Sequence, residues 1–303
     1  MLQSKRNEPH FFDYWDCDQC YFNLNKITPK DLNKIRSTYS SKHFNMALLK
    51  KDPNLISFEK TPMYLFNVHA ASRAKLIVPW AKIIIVLRDP VERAFSTFKM
   101  NYIRYELKNV TETHGKITFE RCVNIDIQQL KNAGILQDSF WQVSEEERER
   151  RWVKYWRSWQ DHILTEEEMC SGEVGRGLYY LQIERWLKHF DYGGGQNNNG
   201  NVLILKSENL LPHESTKKVD LKSLTDFIGI DELDIVAHEK IHTYTGAKPL
   251  QDETRIKLEH IFDPFNKKLG ALLGKEWENP WPYTFNVKFL TRKVGTRRND
   301  FNK

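Results

Sequence analysis

The sequence lacks a long apolar run. Nowhere in its 303 residues are about 18 consecutive positions apolar, the length that a membrane-spanning helix needs. The first residues, MLQSKRNEPHFF, also lack the apolar middle region of a signal peptide. We therefore expect either a cytosolic protein or a chain that continues upstream of Met1.

Cysteine is scarce. The chain has four cysteines, at positions 17, 20, 122 and 170, too few for a disulfide scaffold in a chain of this length. Cys17 and Cys20 form the motif CDQC, but neither a βαβ context nor a second ligand pair accompanies it. We interpret these two residues as ordinary thiols or one local disulfide, and we predict no metal site.

A strong excess of charge of one sign is also lacking. The 46 basic and 40 acidic side chains leave a formal net charge of +6. This excess is too small for a dedicated nucleic-acid binder, but it suits a protein that holds anionic ligands. We therefore expect no nucleic-acid partner and take anions as the first ligand class.

The organisation of the chain is simple. Its length and a hydrophobic content of 40% predict one domain over residues 1–303, and there is no internal repeat. The Gly- and Asn-rich tract at residues 192–201 has no means of packing. We interpret this tract as a flexible surface insertion.

Three short runs rich in Ile, Val and Leu predict strands at Leu55–Phe58, Ile83–Leu87 and Val202–Leu205. They lack strict alternation of apolar and polar residues, which is typical of strands covered on both faces of a parallel sheet. Helical patterns separate these runs. The sequence therefore predicts an α/β fold in which helices flank a parallel sheet.

Two helical patterns have features that can be tested directly. After Leu87, apolar residues recur at three- and four-residue spacing, and Pro90 suits the first turn of the helix. Near the end of the chain, DETRIKLEHIFDPFNKKLGALLG has helical spacing. We expect this second helix to be broken around Asp263 and Pro264, because proline cannot donate a backbone hydrogen bond.

A third helical pattern carries three tryptophans. Residues 145–160 are highly charged, yet Trp152, Trp156 and Trp159 fall on one stripe. We interpret the stripe as a core face, because tryptophans pack more often than they bind ligands. A sugar-stacking platform is the alternative.

The strand Ile83–Leu87 runs directly into charged residues. In an open parallel sheet, ligands bind beyond the carboxyl ends of the strands. Arg88 lies at such an end and could grip a phosphate with two hydrogen bonds, and Ser96 in the following helix could add a hydroxyl. In the alternative interpretation, Arg88 pairs with Asp89 or Glu92 and Ser96 is helix surface.

The segment VLRDPVERAFSTF resembles the 3′-phosphate-binding segment of the sulfotransferase superfamily, written R-D-P-x-x-R-x-x-S, at every fixed position. The resemblance implies that Arg88 and Ser96 hold the 3′-phosphate of 3′-phosphoadenosine 5′-phosphosulfate. It also implies a three-layer fold like that of the P-loop NTPases, with a central parallel sheet flanked by helices.

Further segments resemble this superfamily in the same order. NEPHFFD is similar to a segment of the Golgi-type carbohydrate sulfotransferases, especially those acting on heparan sulfate. That similarity implies Glu8 as the catalytic base, with His10 and Asp13 in support. FEKTPMYLF is similar to E-K-[ST]-P-x-Y, which implies that Lys60 contacts the cofactor and substrate side of the reacting centre.

The C-terminal part of the chain completes the resemblance. TGAKPLQDETRIKLEHIFDPFNKKLGALLG looks like the cofactor loop and closing helices of these enzymes, so Thr245, Gly246 and Lys248 are the implied cofactor contacts. The family resemblance implies sulfuryl transfer to a hydroxyl or amine of a carbohydrate, which includes glycosaminoglycans. Such a reaction depends on positioning and charge stabilisation rather than on covalent catalysis.

The sequence departs from the family at its beginning. Relatives carry a strand and a 5′-phosphosulfate loop, K-x-G-T-[ST], about thirty residues before the Glu segment, whereas Met1 lies only seven residues before Glu8. We expect an N-terminally truncated domain that continues upstream through this loop into a membrane anchor. The protein would then belong to the Golgi lumen or membrane, and otherwise to the cytoplasm.

Two other readings follow from the missing loop. A complete chain without it would be a catalytically inactive relative that binds a glycan or a nucleotide. A P-loop kinase is disfavoured, because it needs the same loop and because no Mg²⁺-holding carboxylate stands beside a matching motif.

Overall fold

The structure is a computed structural model that describes residues 1–13, 27–106, 117–163, 170, 172–193, 200–210, 221–231 and 249–283. Four strands lie in this part of the chain: β1 (Leu2–Gln3), β2 (Ser57–Phe58), β3 (Ile83–Leu87) and β4 (Val202–Lys206). All pairing among them is parallel, which confirms the predicted α/β class. The predicted strand at Leu55–Phe58 is shorter than expected, and the other two agree closely with β3 and β4.

The described strands form two parallel ladders. In the first, β1 pairs with β2 so that Leu2 lies opposite Ser57. In the second, β3 pairs with β4, and Ile83 lies opposite Val202. No strand of one ladder is hydrogen-bonded to a strand of the other within the described residues. Each ladder carries one half of the predicted site at its carboxyl end.

Helices surround these ladders. The structure describes α1 (Pro29–His43), α2 (Met46–Lys51), α3 (Met63–Phe66), α4 (Ala70–Ile77), α5 (Pro90–Glu106), α6 (Phe119–Asn132), α7 (Glu145–Ile163), α8 (Tyr179–Leu187), α9 (Lys222–Ile228) and α10 (Asp252–Leu273). Short 3₁₀ turns lie at 138–142, 175–177, 207–210 and 275–277. None of the helices in the described ranges is both long and apolar enough to cross a membrane.

The start of α5 follows from its sequence. The side chain of Asp89 accepts a hydrogen bond from the backbone N–H of Glu92 at 2.9 Å, and so caps the helix. Pro90 occupies the first helical position, where its missing N–H costs nothing. The apolar stripe that the spacing predicted is buried, with Val91 and Ala94 fully inside the core. The predicted strand, turn and helix are therefore confirmed.

The tryptophan stripe of α7 is a core face. Trp152, Trp156 and Trp159 are 1%, 4% and 6% exposed. The ring of Phe66 contacts Trp159 edge to face at a centroid distance of 4.8 Å, and it contacts Trp152 at 5.7 Å. The core interpretation is therefore confirmed. A sugar-stacking platform needs accessible rings, and these rings are inside the protein.

The prediction that β3 is covered on both faces is wrong. Ile85 and Leu87 are 6% and 1% exposed, whereas Ile84 and Val86 are 40% and 49% exposed. Side chains of a strand alternate between the two faces of a sheet, so one face of β3 is buried and the other is largely accessible. An entirely apolar run could not reveal this difference, because every position reads as core.

The predicted break in the last helix is also wrong. Helix α10 runs without interruption from Asp252 to Leu273 through Pro264. Its buried positions, which include Leu258, Phe262 and Leu269, continue along one face on both sides of the proline. Packing of this face stabilises the helix against the one backbone hydrogen bond that proline removes.

A disulfide joins Cys122 on α6 to Cys170 across 48 positions of sequence. The sequence did not suggest this disulfide, because its two cysteines are far apart in the sequence. Cys17 and Cys20 of the CDQC motif lie outside the described residues, as does most of the Gly and Asn tract, positions 194–199. The flexibility of that tract stays a prediction.

The disulfide gives a stability prediction. Replacing both Cys122 and Cys170 with Ser should lower the free energy of unfolding by about 4 kcal/mol, because a cross-link of this span restricts the unfolded chain. Urea denaturation would measure the change. The matched control is Cys17→Ser with Cys20→Ser, since these positions are only three apart in the sequence and could close only a short loop. An unchanged midpoint for the first variant would show that the cross-link contributes nothing.

Candidate active site

Three side chains after β1 form a chain of acid and imidazole groups. The Nδ1 atom of His10 lies 2.7 Å from Oδ2 of Asp13, and its Nε2 atom lies 3.4 Å from Oε2 of Glu8. Asp13 is buried with 1% of its side chain exposed, whereas 38% of the Glu8 side chain is exposed. These three side chains therefore connect a buried carboxylate, through the imidazole, to a carboxylate at the surface.

The backbone holds His10 in an uncommon conformation. Its φ angle is +54°, in the left-handed region that non-glycine residues seldom adopt. The next residue, Phe11, donates its backbone N–H to the hydroxyl of Tyr64 at 2.8 Å. The aromatic rings of Phe11 and Phe12 are buried against Tyr39 at centroid distances of 4.8 and 5.2 Å. These contacts keep the imidazole turned toward both carboxylates.

A buried arginine lies behind the segment. Arg73 on α4 donates from Nη1 to the carbonyl oxygen of Phe12 at 2.8 Å. Burial lowers the pKa of Arg73 to about 9, and the nearby charge of Asp13 opposes this shift. Asp13 is thus a buried carboxylate close to a buried cation, the arrangement in which a buried charge is tolerated.

The second predicted segment follows β2. Lys60 is exposed, and its neighbour Glu59 is a mostly buried carboxylate that accepts hydrogen bonds from the hydroxyls of Tyr39 and Tyr64 at 2.6 and 3.1 Å. Burial raises the pKa of Glu59, while these hydroxyls act in the opposite direction. Because Thr61 also contacts the backbone N–H of His10 at 3.4 Å, the Lys60 loop lies against the Glu8 segment.

The predicted phosphate clamp follows β3. Arg88 is at the carboxyl end of the strand with 46% of its side chain exposed, and its Nη2 atom is 3.9 Å from Oε2 of Glu92. The other carboxylate oxygen of Glu92 accepts from Arg255 of α10 at 2.5 Å. Ser96 lies four residues beyond Glu92, so both side chains are on one face of α5. The arrangement leaves Arg88 accessible at the rim of the ladder.

Neighbouring elements hold the backbone of this turn. The hydroxyl of Tyr179 on α8 donates to the carbonyl oxygen of Arg88 at 3.0 Å. Glu208, in the turn after β4, accepts the backbone N–H of Asp89 at 2.9 Å. Arg93 donates to the carbonyl oxygen of Glu173. The ends of β3 and β4 are therefore fastened together where the phosphate clamp is predicted.

A buried carboxylate supports this region from behind. Asp126 on α6 accepts the hydroxyl of Tyr155 at 2.6 Å and the backbone N–H groups of Val174 and Gly175 at 2.6 and 2.8 Å. It lies one helical turn from Cys122, so the disulfide and the carboxylate hold the same loop. Sequence reasoning missed this cluster. The available signal was an Asp within the apolar stripe of α6.

The remaining predicted cofactor residues, Thr245, Gly246 and Lys248, lie outside the described residues. Among the residues that are described, no group of three or more His, Cys, Asp or Glu side chains is arranged to hold a metal ion. The structure thus joins Glu8, His10 and Asp13 to the Lys60 loop. Arg88 directly follows β3 of the other ladder and Ser96 lies on α5, and Phe11 and Phe12 of the Glu8 segment belong to the same buried cluster as Leu87 of β3.

Comparison with known proteins agrees with these motifs. The family profile described as the sulfotransferase domain matches residues 4–287. The membrane-associated sulfotransferase kil1 of Dictyostelium discoideum is 23% identical over 286 residues, which cover 79% of this chain and 56% of that protein. Heparan sulfate glucosamine 3-O-sulfotransferase 3B1 of Mus musculus is 21% identical over 245 residues, which cover 73% and 49%. The chain spans about half the length of these curated relatives.

A solved structure is also similar. The crystal structure of a sulfotransferase from Alicyclobacillus acidocaldarius is 19% identical to this chain, with a TM-score of 0.45. The superposition covers 89% of this chain and 84% of that one.

The cluster around Asp126 predicts a sensitive position at Gly175. A Cβ atom there would lie 2.0 Å from the hydroxyl oxygen of Tyr155. Because Tyr155 is fully buried, Gly175→Ala should displace it from Asp126 and cost about 2–4 kcal/mol of folding free energy. Urea denaturation would measure this loss.

Gly229→Ala is the control for this prediction. Within the part of the chain that the structure describes, no atom outside the neighbouring residues lies within 4 Å of a Cβ placed there, and the φ angle is +82°, so the variant reports the cost of left-handed backbone, about 1 kcal/mol. Equal losses for the two variants would show that crowding at Tyr155 is unimportant.

Proposed function

The chain belongs to the sulfotransferase domain family, and we propose that it transfers a sulfuryl group from 3′-phosphoadenosine 5′-phosphosulfate to a hydroxyl or amine of a glycan. One observation carries the proposal: the chain of Glu8, His10 and Asp13 lies against the loop that carries Lys60. A base and a cation at one place are what sulfuryl transfer needs.

In the proposed reaction, the acceptor oxygen or nitrogen forms a bond to sulfur while the bond from sulfur to the 5′-phosphate oxygen breaks. The acceptor's proton passes to the carboxylate of Glu8, and the electron pair of the broken bond stays on the phosphate. Lys60 offsets the negative charge on the leaving oxygen and on the sulfuryl group. General-base assistance of this kind contributes a factor of about 10²–10⁴ to the rate.

His10 and Asp13 assist Glu8 in this scheme. A carboxylate only accepts hydrogen bonds, so Asp13 fixes the proton of His10 on Nδ1 and turns Nε2 toward Glu8. The proton taken by Glu8 is then close to a nitrogen that can share it. Support comes from the 2.7 Å contact to Asp13 and from the left-handed backbone at His10, since strained conformations cluster at functional sites.

The donor's 3′-phosphate is assigned to Arg88 and Ser96, with Thr245, Gly246 and Lys248 as the proposed contacts of the C-terminal loop. The accessible guanidinium of Arg88 at the end of β3 fits a phosphate. The adjacent carboxylate of Glu92 is paired with Arg255, which reduces its repulsion of the phosphate. When bound, the donor supplies the activated sulfuryl group.

The acceptor is assigned to the glycans, and the site of action to the Golgi lumen. One of the relatives is named for its action on heparan sulfate glucosamine. Exposed Lys5 and Arg6 precede Glu8, which favours an anionic acceptor. The disulfide between Cys122 and Cys170 suits an oxidising compartment.

Glu8→Gln tests the proposed base. The variant should lose at least a factor of about 10² in sulfate transfer to desulfated heparin, because the amide cannot take the acceptor's proton. Its dissociation constant for 3′-phosphoadenosine 5′-phosphate should stay unchanged. Both are measured with the full chain, by radiolabelled sulfate transfer and by calorimetry. The control is Glu278→Gln at an exposed position, and wild-type rates in Glu8→Gln would remove Glu8 from the mechanism.

Arg88→Ala tests the phosphate clamp. Loss of charged hydrogen bonds to the 3′-phosphate should raise the dissociation constant for 3′-phosphoadenosine 5′-phosphate by about 10- to 100-fold. Calorimetric titration measures it. Arg150→Ala is the matched control, because 77% of that side chain is exposed on α7. An unchanged constant in Arg88→Ala would contradict the assignment.

A further inference from the structure

Glu59 faces the Glu8 segment through two hydroxyl groups. Its Oε2 atom accepts from the hydroxyl of Tyr64 at 3.1 Å and from that of Thr61 at 3.5 Å. The same two hydroxyl oxygens accept backbone N–H groups of the Glu8 segment, from Phe11 at 2.8 Å and from His10 at 3.4 Å. One carboxylate oxygen is thus connected, through two hydroxyls, to two successive peptide groups.

The direction of these hydrogen bonds depends on the charge of Glu59. A hydroxyl has one proton to donate, and a carboxylate can only accept. Burial beside Glu59 raises the pKa of Tyr64, so its hydroxyl keeps its proton and donates it. With the proton directed to Glu59, the lone pairs of the hydroxyl are turned toward the N–H of Phe11. Both hydrogen-bond distances at the Tyr64 hydroxyl are shorter than the corresponding distances at Thr61, so Tyr64 provides the stronger of the two connections.

These connections meet the segment where its backbone is strained. His10 has a φ angle of +54°, and a strained residue keeps such a conformation only when its surroundings hold it there. The two N–H groups that Thr61 and Tyr64 receive belong to His10 itself and to the next residue. The hydroxyls that donate to Glu59 are therefore the groups that contact the backbone at this strained residue.

We propose that Glu59 is a positioning residue: through Tyr64 and Thr61 it fixes the backbone at His10, and so sets the orientation of His10 toward Glu8. The catalytic consequence of this role rests on the proposed function, whereas the structural consequence does not. Glu59 directly follows β2 of the first ladder, and it is the residue immediately before Lys60. Glu59 is therefore connected to the proposed base through His10, and it is adjacent in sequence to the proposed cation.

Glu59→Gln tests the role with little change in shape. The other oxygen, Oε1, accepts from Tyr39 at 2.6 Å, the shortest of the three contacts. That contact keeps the amide oxygen beside Tyr39 and places the NH₂ group against Tyr64 and Thr61, so their protons can no longer point to Glu59. The backbone N–H groups of His10 and Phe11 should then exchange with solvent at least about tenfold faster, as expected when a net hydrogen bond is lost.

The matched control is Tyr39→Phe. It removes the shortest of the three hydrogen bonds to the same carboxylate and keeps the ring that packs on Phe11. Amide exchange at His10 and Phe11 should stay within about twofold of wild type in this variant. Tyr64→Phe, which cuts the connection on the segment side, should reproduce the effect of Glu59→Gln. In the double variant the two effects should not add, because both break one connection.

Kinetics with 3′-phosphoadenosine 5′-phosphosulfate and desulfated heparin give the second readout. Glu59→Gln should lower kcat by about tenfold or more and leave KM for the donor within about twofold, because Arg88 is on the other ladder. A merely structural defect would change both constants along with the unfolding midpoint.

The outcomes separate this inference from the proposed function. If wild type transfers no sulfate to any glycan, the proposed function fails, and the exchange rates still decide the role of Glu59. If wild type is active and Glu8→Gln is inactive, but Glu59→Gln keeps wild-type exchange and kcat, the inference is overturned. Should Glu59→Gln fail to fold, Tyr64→Phe decides: fast exchange at Phe11 with normal donor KM supports the role, and wild-type behaviour overturns it.

Discussion

The short hydrogen bond between His10 and Asp13 is the contact on which the candidate catalytic segment depends. At 2.7 Å it joins an imidazole to a carboxylate that is almost fully buried, near the guanidinium of Arg73. Without a neighbouring cation and a hydrogen-bond partner, a buried carboxylate would take up a proton and lose its hold on the ring. The left-handed backbone at His10 accompanies this contact in the same short segment.

The two halves of the site are built in the same way. Directly after β2 of the first ladder, the mostly buried Glu59 orders hydroxyls that hold the backbone beside His10. On the second, buried Asp126 holds the loop at Gly175, and the adjoining helix holds Arg88 through Tyr179. In both cases a carboxylate with little exposure accepts hydrogen bonds from groups near the candidate site, and the Arg88 turn itself is held by Tyr179 and Glu208. Rigidity comes from the interior, and charge is left at the surface for a ligand.

Sequence reasoning succeeded where a local pattern decides the structure. The bounds of β3, the start of α5 at Pro90 and the burial of Trp152 each follow from a few adjacent residues. It failed where residues distant in the sequence determine the structure. The disulfide partner of Cys122 is 48 positions away, and α10 continues through Pro264 because its buried face packs against other helices. The assignments of Glu8 and Arg88 came from resemblance to a family, and the structure adds their surroundings.

The dependence on residues distant in the sequence also explains why Glu59 and Asp126 had no predicted role. A carboxylate in a sequence reads as solvated surface, because most of them are. Only the fold shows that the partners of Glu59 come from α1, α3 and the loop before α3. It likewise shows that those of Asp126 come from α7 and the turn at Gly175. Asp126 accepts backbone N–H groups directly, whereas Glu59 accepts hydroxyls that in turn accept backbone N–H groups, and no side-chain motif records such contacts. Residues that position a site are therefore harder to find from sequence than residues that perform its chemistry.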